Sequence, residues 1–326
     1  MLVDGYGRAI TNLRVSVTDR CNLRCVYCMP ADPEWMAQPE ILSFEEIERL
    51  VRVAVSLGIT DFRITGGEPT ARKDLPELVR RVVAVPGVKD VAMTTNGILL
   101  RKLARPLWDA GLRRINISLD TLRGEKFVHI ARRDGFRETW EGIEEADRAG
   151  FRPLKINMVV MRGVNDDEVV DFARMARTRP WKIRFIEFMP LDGDGGWTRE
   201  KVVPAKEILG RIHATWPLDL VADGPLSDPA RVFRFKDGQG DIGVIASVSE
   251  PFCSACDRIR VTPDGKLRTC LFSTWETDLK GAMRAGATDD ELRAIVRGAV
   301  AKKEAGHGIN DPDFVKPVRA MYAIGG

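Results

Sequence analysis

Histidine is scarce in this chain: His129, His213 and His307 are the only three in 326 residues, and none lies at short spacing from a cysteine. A structural zinc site closes its tetrahedron with four protein ligands, so zinc would need a distant fourth donor here. Cysteine is limited to six. The opening MLVDGYGRAI has no charged-then-apolar leader, so the disulfide framework of a short secreted chain is not expected. No apolar run is long enough to span a bilayer. An excess of one charge is also missing, because 50 Lys and Arg nearly cancel 47 Asp and Glu, leaving +3. That balance gives no case for binding nucleic acid or a membrane surface. Low-complexity tracts, coiled-coil heptads and a disordered tail are absent as well.

What is present is concentrated in the six cysteines. They fall into two triplets, Cys21, Cys25 and Cys28 in CNLRCVYC, then Cys253, Cys256 and Cys270 in CSACDRIRVTPDGKLRTC. Three thiolates are one short of a closed structural zinc site, whereas a cubane iron–sulfur cluster held by three leaves one iron open to another ligand. With 44% hydrophobic residues the chain can bury a large core, as one barrel-sized domain or two smaller ones.

From residue 13 to about 210, β-rich runs alternate with amphipathic stretches. The runs are residues 13–18, 61–65, 91–96, 114–120, 155–160 and 181–188, and helices between them predict six parallel βα units, hence an α/β fold. Ser43 with Glu46 forms a capping box ahead of a helix that Gly58 stops, and Asn165 with Glu168 repeats the start signal before Val169.

Parallel strands covered on both faces normally read as continuous apolar runs, but several of these alternate. Arg14, Ser16 and Thr18 form one polar face, and Arg63 with Thr65 another. Thr94 and Asn96, then Asn116, Ser118 and Asp120, then Lys155 and Asn157 continue the pattern. If the apolar faces meet the helices, the polar faces line a hydrated lumen that accepts a large polar ligand. An open sheet with one solvated face is the alternative. Parallel α/β folds place their sites at the carboxyl ends of strands, which puts the first triplet, Gly66-Gly67-Glu68-Pro69 and Met189-Pro190 at the mouth of that lumen.

The Cys-x3-Cys-x2-Cys motif with Tyr27 before its last cysteine, followed by Gly-Gly-Glu-Pro after the next strand, resembles the radical S-adenosylmethionine superfamily. The second triplet, Arg258 and Arg260 within it, and the final Gly325-Gly326 are similar to the GTP 3′,8-cyclase family inside that superfamily. The resemblance implies a partial (βα)6 TIM-like barrel over residues 1–245. A C-terminal iron–sulfur region over 246–326 would close its open side. It also implies a lyase that converts GTP to (8S)-3′,8-cyclo-7,8-dihydro-GTP, the first step of molybdenum cofactor biosynthesis, with two [4Fe-4S] clusters and S-adenosylmethionine as cofactors.

By motif position the six cysteines would hold the clusters, and Tyr27, Gly67, Ser118 and Met189 would contact S-adenosylmethionine. Arg14, Arg63, Thr94 and Lys155 would meet GTP, joined by Arg258, Ile259 and Arg260. No side chain is given a catalytic role beyond the clusters. The chain has no Gly-x4-Gly-Lys-Ser/Thr loop, so the triphosphate falls to cationic side chains. Arg72, Lys73 and Arg184 are further phosphate candidates, with surface ion pairs as their other role. Ala131-Arg132 stands where the family would have Thr-Gly, which puts that loop in doubt. The resemblance further implies handover of the product to cyclic pyranopterin monophosphate synthase, and oxygen-labile clusters imply a reducing cytoplasm. The electron donor is not legible, and a homodimer is left open. Two other readings stay open: a radical peptide modifier with one auxiliary cluster, and an electron carrier or redox sensor.

Overall fold

The computed structural model describes residues 1–221 and 224–326. Six parallel strands form its centre: β1 (Asn12–Ser16), β2 (Asp61–Thr65), β3 (Asp90–Thr95), β4 (Arg114–Ser118), β5 (Leu154–Val160) and β6 (Trp181–Glu187). They lie side by side in chain order. Helices α1 (Phe44–Ser56), α2 (Leu75–Ala84), α3 (Leu100–Asp109), α4 (Gly124–Ala131), α5 (Phe136–Arg148) and α6 (Val169–Thr178) make the crossovers that parallel neighbours require. These are the six parallel βα units that the alternation predicts, arranged as the partial (βα)6 barrel that the resemblance implies.

The remaining strands extend the sheet from both edges. After α7 (Ala205–Thr215) come β7 (Leu218–Val221), β8 (Arg231–Phe235) and β9 (Asp241–Ile245), and β9 runs parallel to β6. On the other side β10 (Arg258–Val261) runs parallel to β1, followed outward by β11 (Lys266–Arg268) and β12 (Thr277–Asp278). The sheet therefore holds twelve strands among the described residues, open at β12 and β7. Helices α8 (Leu279–Arg284) and α9 (Asp289–Ala301) cover the β10–β12 side, and α10 (Met321–Ile324) precedes the final glycines.

Local signals decide several boundaries. Ser43 Oγ accepts from Glu46 N at 3.1 Å while Glu46 Oε2 accepts from Ser43 N at 2.7 Å, and Gly58 ends the turn after α1 at φ +97°. The expected second capping pair behaves otherwise. Asn165 and Glu168 are both fully buried and neither side chain caps α6. Asn165 accepts from Met161 N and donates to the carbonyls of Asp120 and Val159, while Glu168 accepts from Thr121 Oγ1 and Leu122 N. Both polar side chains are used to tie the β4 and β5 exit loops together, because burial there makes an unmet backbone group more costly than a frayed helix end.

Strands β1, β3 and β4 also end one or two residues before the sequence pattern does. Thr18 Oγ1 accepts from Arg20 N, Asn96 N donates to Glu68, and Asp120 accepts from Val159 N. Those residues leave the ladder because their polar groups organise the loops above it.

Burial along β5 alternates strictly, with Leu154, Ile156, Met158 and Val160 buried and Lys155, Asn157 and Val159 partly open on the other face. The apolar faces of β1 to β6 join the helices in one continuous core running from Leu13 and Phe62 to Phe172 and Phe185. The polar faces enclose a cavity of about 440 Å³.

Candidate active site

All six cysteines, none in a disulfide, line this single cavity. The first triplet sits on the loop leaving β1. That loop is fixed by Arg24 N to Ala131 O at 2.8 Å and Val26 N to Ile130 O at 2.9 Å, so the end of α4 supports it despite the unexpected Ala131-Arg132. Arg132 takes the left-handed conformation at φ +53°, where glycine would cost less. The Gly66-Gly67 loop lies directly against it: Gly67 N donates to Thr18 O at 2.7 Å and Glu68 N to Arg20 O at 2.8 Å. A Cβ on Gly67 would fall on the carbonyl oxygens of Asp19 and Arg20.

Two carboxylates complete this end. Glu68, buried, accepts from Thr70 N, Thr95 Oγ1 and Asn96 N, and burial still outweighs those donors and pushes its pKa up. Asp120 accepts from Tyr27 Oη at 2.7 Å and Val159 N at 2.8 Å, and burial raises it to about 6. Burial and then the Glu68 charge drive the Cys21 thiol to about 12, and burial holds Cys25 and Cys28 far above the ordinary thiol range. A bound metal supplies the positive charge that favours the ionised form of such thiols.

The second triplet closes the opposite side. Cys253 and Cys256 precede β10 in a tight turn, Cys256 N to Cys253 O at 3.1 Å, and Cys270 follows β11. Its electrostatics differ in sign. Burial raises Cys253 and Cys270, but at Cys256 the Lys303 and Arg258 charges outweigh burial and bring the thiol below its usual value. Among the described residues no three Cys, His, Asp or Glu side chains converge on one ion. A mononuclear zinc needs its sulfurs about 2.3 Å from a common centre. A cubane seats each thiolate on a different iron and needs no fourth protein donor. The donor chemistry of both triplets fits cubane clusters.

Between the triplets lies a row of cations set by strand register. Arg14 pairs across the sheet with Arg63 on β2 and with Arg260 on β10, three arginines abreast on one face. Like charges directly opposite destabilise a sheet. Arg14 Nε and Arg63 Nε are also buried with no hydrogen-bond partner among the described residues. Burial, followed by repulsion from neighbouring arginines, pushes Arg63 down to about 9 and Arg14 well below its normal range, while burial takes Arg260 and Arg184 to about 10 against the opposing pull of Cys270 and Asp228. Lys155, on the same lumen, falls to about 8 through burial and the Arg184 and Arg114 charges. Unsatisfied donors and mutual repulsion mark a seat for a multiply charged anion.

Comparison with known proteins is decisive at this point. Residues 15–176 match the model of the radical SAM superfamily and residues 181–309 that of molybdenum cofactor synthesis C. The chain is 49% identical to the GTP 3′,8-cyclase of Streptomyces coelicolor over 100% of its own length and 96% of the relative's. It is 48% identical to that of Moorella thermoacetica over 99% of both.

The chain belongs to the GTP 3′,8-cyclase family.

Among solved structures, SuiB of Streptococcus suis bound to S-adenosylmethionine shares the fold at a TM-score of 0.66 and 13% identity, over 96% of this chain and 76% of that one. The enzyme anSMEcpe with bound AdoMet superposes at 0.60 with 16% identity, over 91% and 79%.

Of the positions expected to serve a GTP 3′,8-cyclase site, the fold brings nearly all together. Tyr27, Gly67, Ser118 and Met189 line the cavity, as do Arg14, Arg63, Thr94, Lys155, Arg258 and Arg260. Ile259 lies elsewhere: its side chain packs in the core between the two cavity-facing arginines of β10, leaving only its backbone for a ligand. Arg184 lines the cavity and donates to Asn157 Oδ1 at 3.0 Å. Arg72 instead binds the carbonyls of Val17 and Leu42 and stacks on Phe44, and Lys73 is exposed.

The final glycines reach inside. Arg260 donates to Gly325 O at 2.8 Å and Thr65 Oγ1 to Gly326 O, while Lys316 on Asp192 and Arg319 on Asp264 fasten the approach. Sequence reasoning did not single out Asn157 as a support for Arg184, Arg114 on the cavity wall, or Lys303. None carries a motif, and only register and packing disclose them.

Proposed function

We propose that this chain cyclises GTP to (8S)-3′,8-cyclo-7,8-dihydro-GTP as a radical SAM lyase, using two [4Fe-4S] clusters and S-adenosylmethionine. The observation that carries this reading is the pair of three-cysteine sets lining one cavity, with Arg14 and Arg63, whose Nε atoms have no partner among the described residues, between them. Cys21, Cys25 and Cys28 hold one cluster, and Cys253, Cys256 and Cys270 the other. With these groups bound, the chemistry supplied is reductive cleavage of a sulfonium to a carbon radical that abstracts the ribose 3′ hydrogen.

The chain's own residues position and shield. Tyr27, fixed by Asp120, and the close-packed backbone at Gly67 shape the S-adenosylmethionine seat with Ser118 and Met189. Arg14, Arg63, Arg258 and Arg260, with Lys155 and Thr94, take the triphosphate and sugar; the Ile259 backbone completes the β10 wall. Guanine is then held toward the second triplet in a conformation that keeps C8 beside the 3′ carbon of the same nucleotide, so ring closure loses less rotational freedom. We divide the chain into a barrel of residues 1–245 and a region of 246–326. The reason is that the later segment supplies the whole second triplet and the glycine tail, although β10 joins the same sheet. No helix among the described residues is long and apolar enough to cross a membrane. We place the reaction in the reducing cytoplasm with handover of product to cyclic pyranopterin monophosphate synthase.

The test is direct. Reduced, reconstituted protein given S-adenosylmethionine and GTP should yield 5′-deoxyadenosine and a cyclised nucleotide, and the appearance of neither would end this reading. Gly67→Ala should lower 5′-deoxyadenosine formation about 10²-fold by displacing the 18–20 backbone, with iron content as the control for cluster loss.

A pH dependence follows from Lys155, whose pKa near 8 lies below the ordinary lysine value of 10.5. Below pH 8 the ammonium attracts the triphosphate; above it the charge is lost. The kcat/KM for GTP should therefore fall as pH rises through about 8, and Lys155→Arg should abolish that limb. A limb that persists in the arginine variant would assign it to another group.

A further inference from the structure

Lys303 is a buried ammonium with an exposure of only 3%, and among the described residues no carboxylate pairs with it. Its Nζ donates to Arg258 O at 3.1 Å and to Thr269 O. The first carbonyl lies two residues after Cys256 and the second immediately before Cys270. Arg8 ties the third arm to the residues that follow Lys303: it donates to Cys253 O at 2.7 Å, Ala305 O at 2.8 Å and Glu304 O at 2.6 Å, and is itself held by Asp4. A cation bonded to two of the cysteine arms, beside Arg8 on the third, and left without a counter-ion among the described residues, has an obvious partner in the negative charge of a thiolate-bound cluster.

Around the first triplet, Glu68 and Asp120 press on the thiols and Arg24 is the opposing cation. Around the second, the Lys303 charge reaches all three cysteines, helped by Arg8 at Cys253 and Arg258 at Cys256. Glu304 and Asp257 oppose it. The Glu304 carboxylate is occupied by the hydroxyls of Thr269 at 2.8 Å and Ser273 at 2.6 Å, which moderates its effect.

We propose that Lys303 sets the electron affinity of the second cluster, as a positioning and tuning residue that contacts neither substrate nor S-adenosylmethionine. Adding one electron from an external low-potential donor makes the cluster more negative, and a fixed positive charge nearby in a medium of low polarity favours that form. Removing the charge makes reduction harder. The proposal rests on reading the second triplet as a cluster site, and iron content separates the two.

The experiment is a redox titration, followed by electron paramagnetic resonance, of anaerobic full-length protein and of the Cys25→Ala protein in which only the second cluster remains. Lys303→Met and Lys303→Gln should lower the midpoint of the second cluster at least tenfold in its reduction equilibrium, about 59 mV for one electron. The first cluster should stay unmoved, and Lys303→Arg should keep the wild-type value. An unchanged midpoint in the neutral variants overturns the proposal, as does an arginine variant shifted as far as methionine. Loss of second-cluster iron in both neutral variants also overturns it, since the lysine would then be holding a loop. If wild-type protein carries only four irons, the cluster reading and this inference fall together.

Discussion

Cys253→Ala should take anaerobically reconstituted protein from about eight to about four irons per chain, with cleavage of S-adenosylmethionine continuing in part while cyclised nucleotide falls about 10²-fold or more. The physical ground is the independence of the two cysteine seats. The first is held by the ends of β1 and β2 and the turn after α4, through Arg24 N, Val26 N and Gly67 N. The second is held by Arg8, Lys303 and Glu304 on segments remote from those loops. Removing one thiolate from the second seat should therefore leave the proposed sulfonium-cleaving end intact and remove the group proposed to hold guanine. Iron and sulfide analysis, with 5′-deoxyadenosine and nucleotide measured on the same sample, reads all of this at once. Loss of all iron together would show the two seats to be one cooperative unit.

Arg14→Ala should move binding and stability in opposite directions. In the protein without nucleotide, Arg14 lies between Arg63 and Arg260 with a buried, unpartnered Nε. Its removal relieves repulsion and an unmet donor, so the melting temperature should rise, with stability gaining about 1 kcal/mol. GTP should bind about 10- to 100-fold more weakly, the scale of losing a charge-assisted hydrogen bond. The stabilisation that GTP confers on wild-type protein should shrink accordingly. Parallel thermal melts with and without GTP test both signs. A lower melting temperature with unchanged affinity would make Arg14 a structural residue and would move the phosphate site elsewhere in the cavity.

The opposite signs show why part of this site is legible in the sequence. An arginine in the inward register of a buried strand breaks the apolar pattern that packing favours, and only a ligand repays the break. Arg14, Arg63, Thr94 and Lys155 can be read on that ground alone. Arg258 and Arg260 enter through the family resemblance, and β10 places them beside the same strands. Asn165 and Glu168 mark the limit of local reasoning: their spacing writes a capping box, yet both serve tertiary bonds between two exit loops. The strands past residue 215 carry no clear sequence signal, since short edge strands of mixed composition become strands only when β6 and β1 offer them free backbone groups.

The sequence by itself determined the βα alternation, the two sets of three thiols and the polar faces, because strand period and donor type are properties of residues close in the chain. Tertiary structure alone decided that Arg14, Arg63 and Arg260 stand abreast, that Asp120 holds Tyr27, that the last glycines enter the cavity, and that Lys303 and Arg8 between them meet the three arms of the second triplet. Each of these joins residues tens to hundreds of positions apart. Their energies arise from register and burial, which exist only once the sheet has formed over its core.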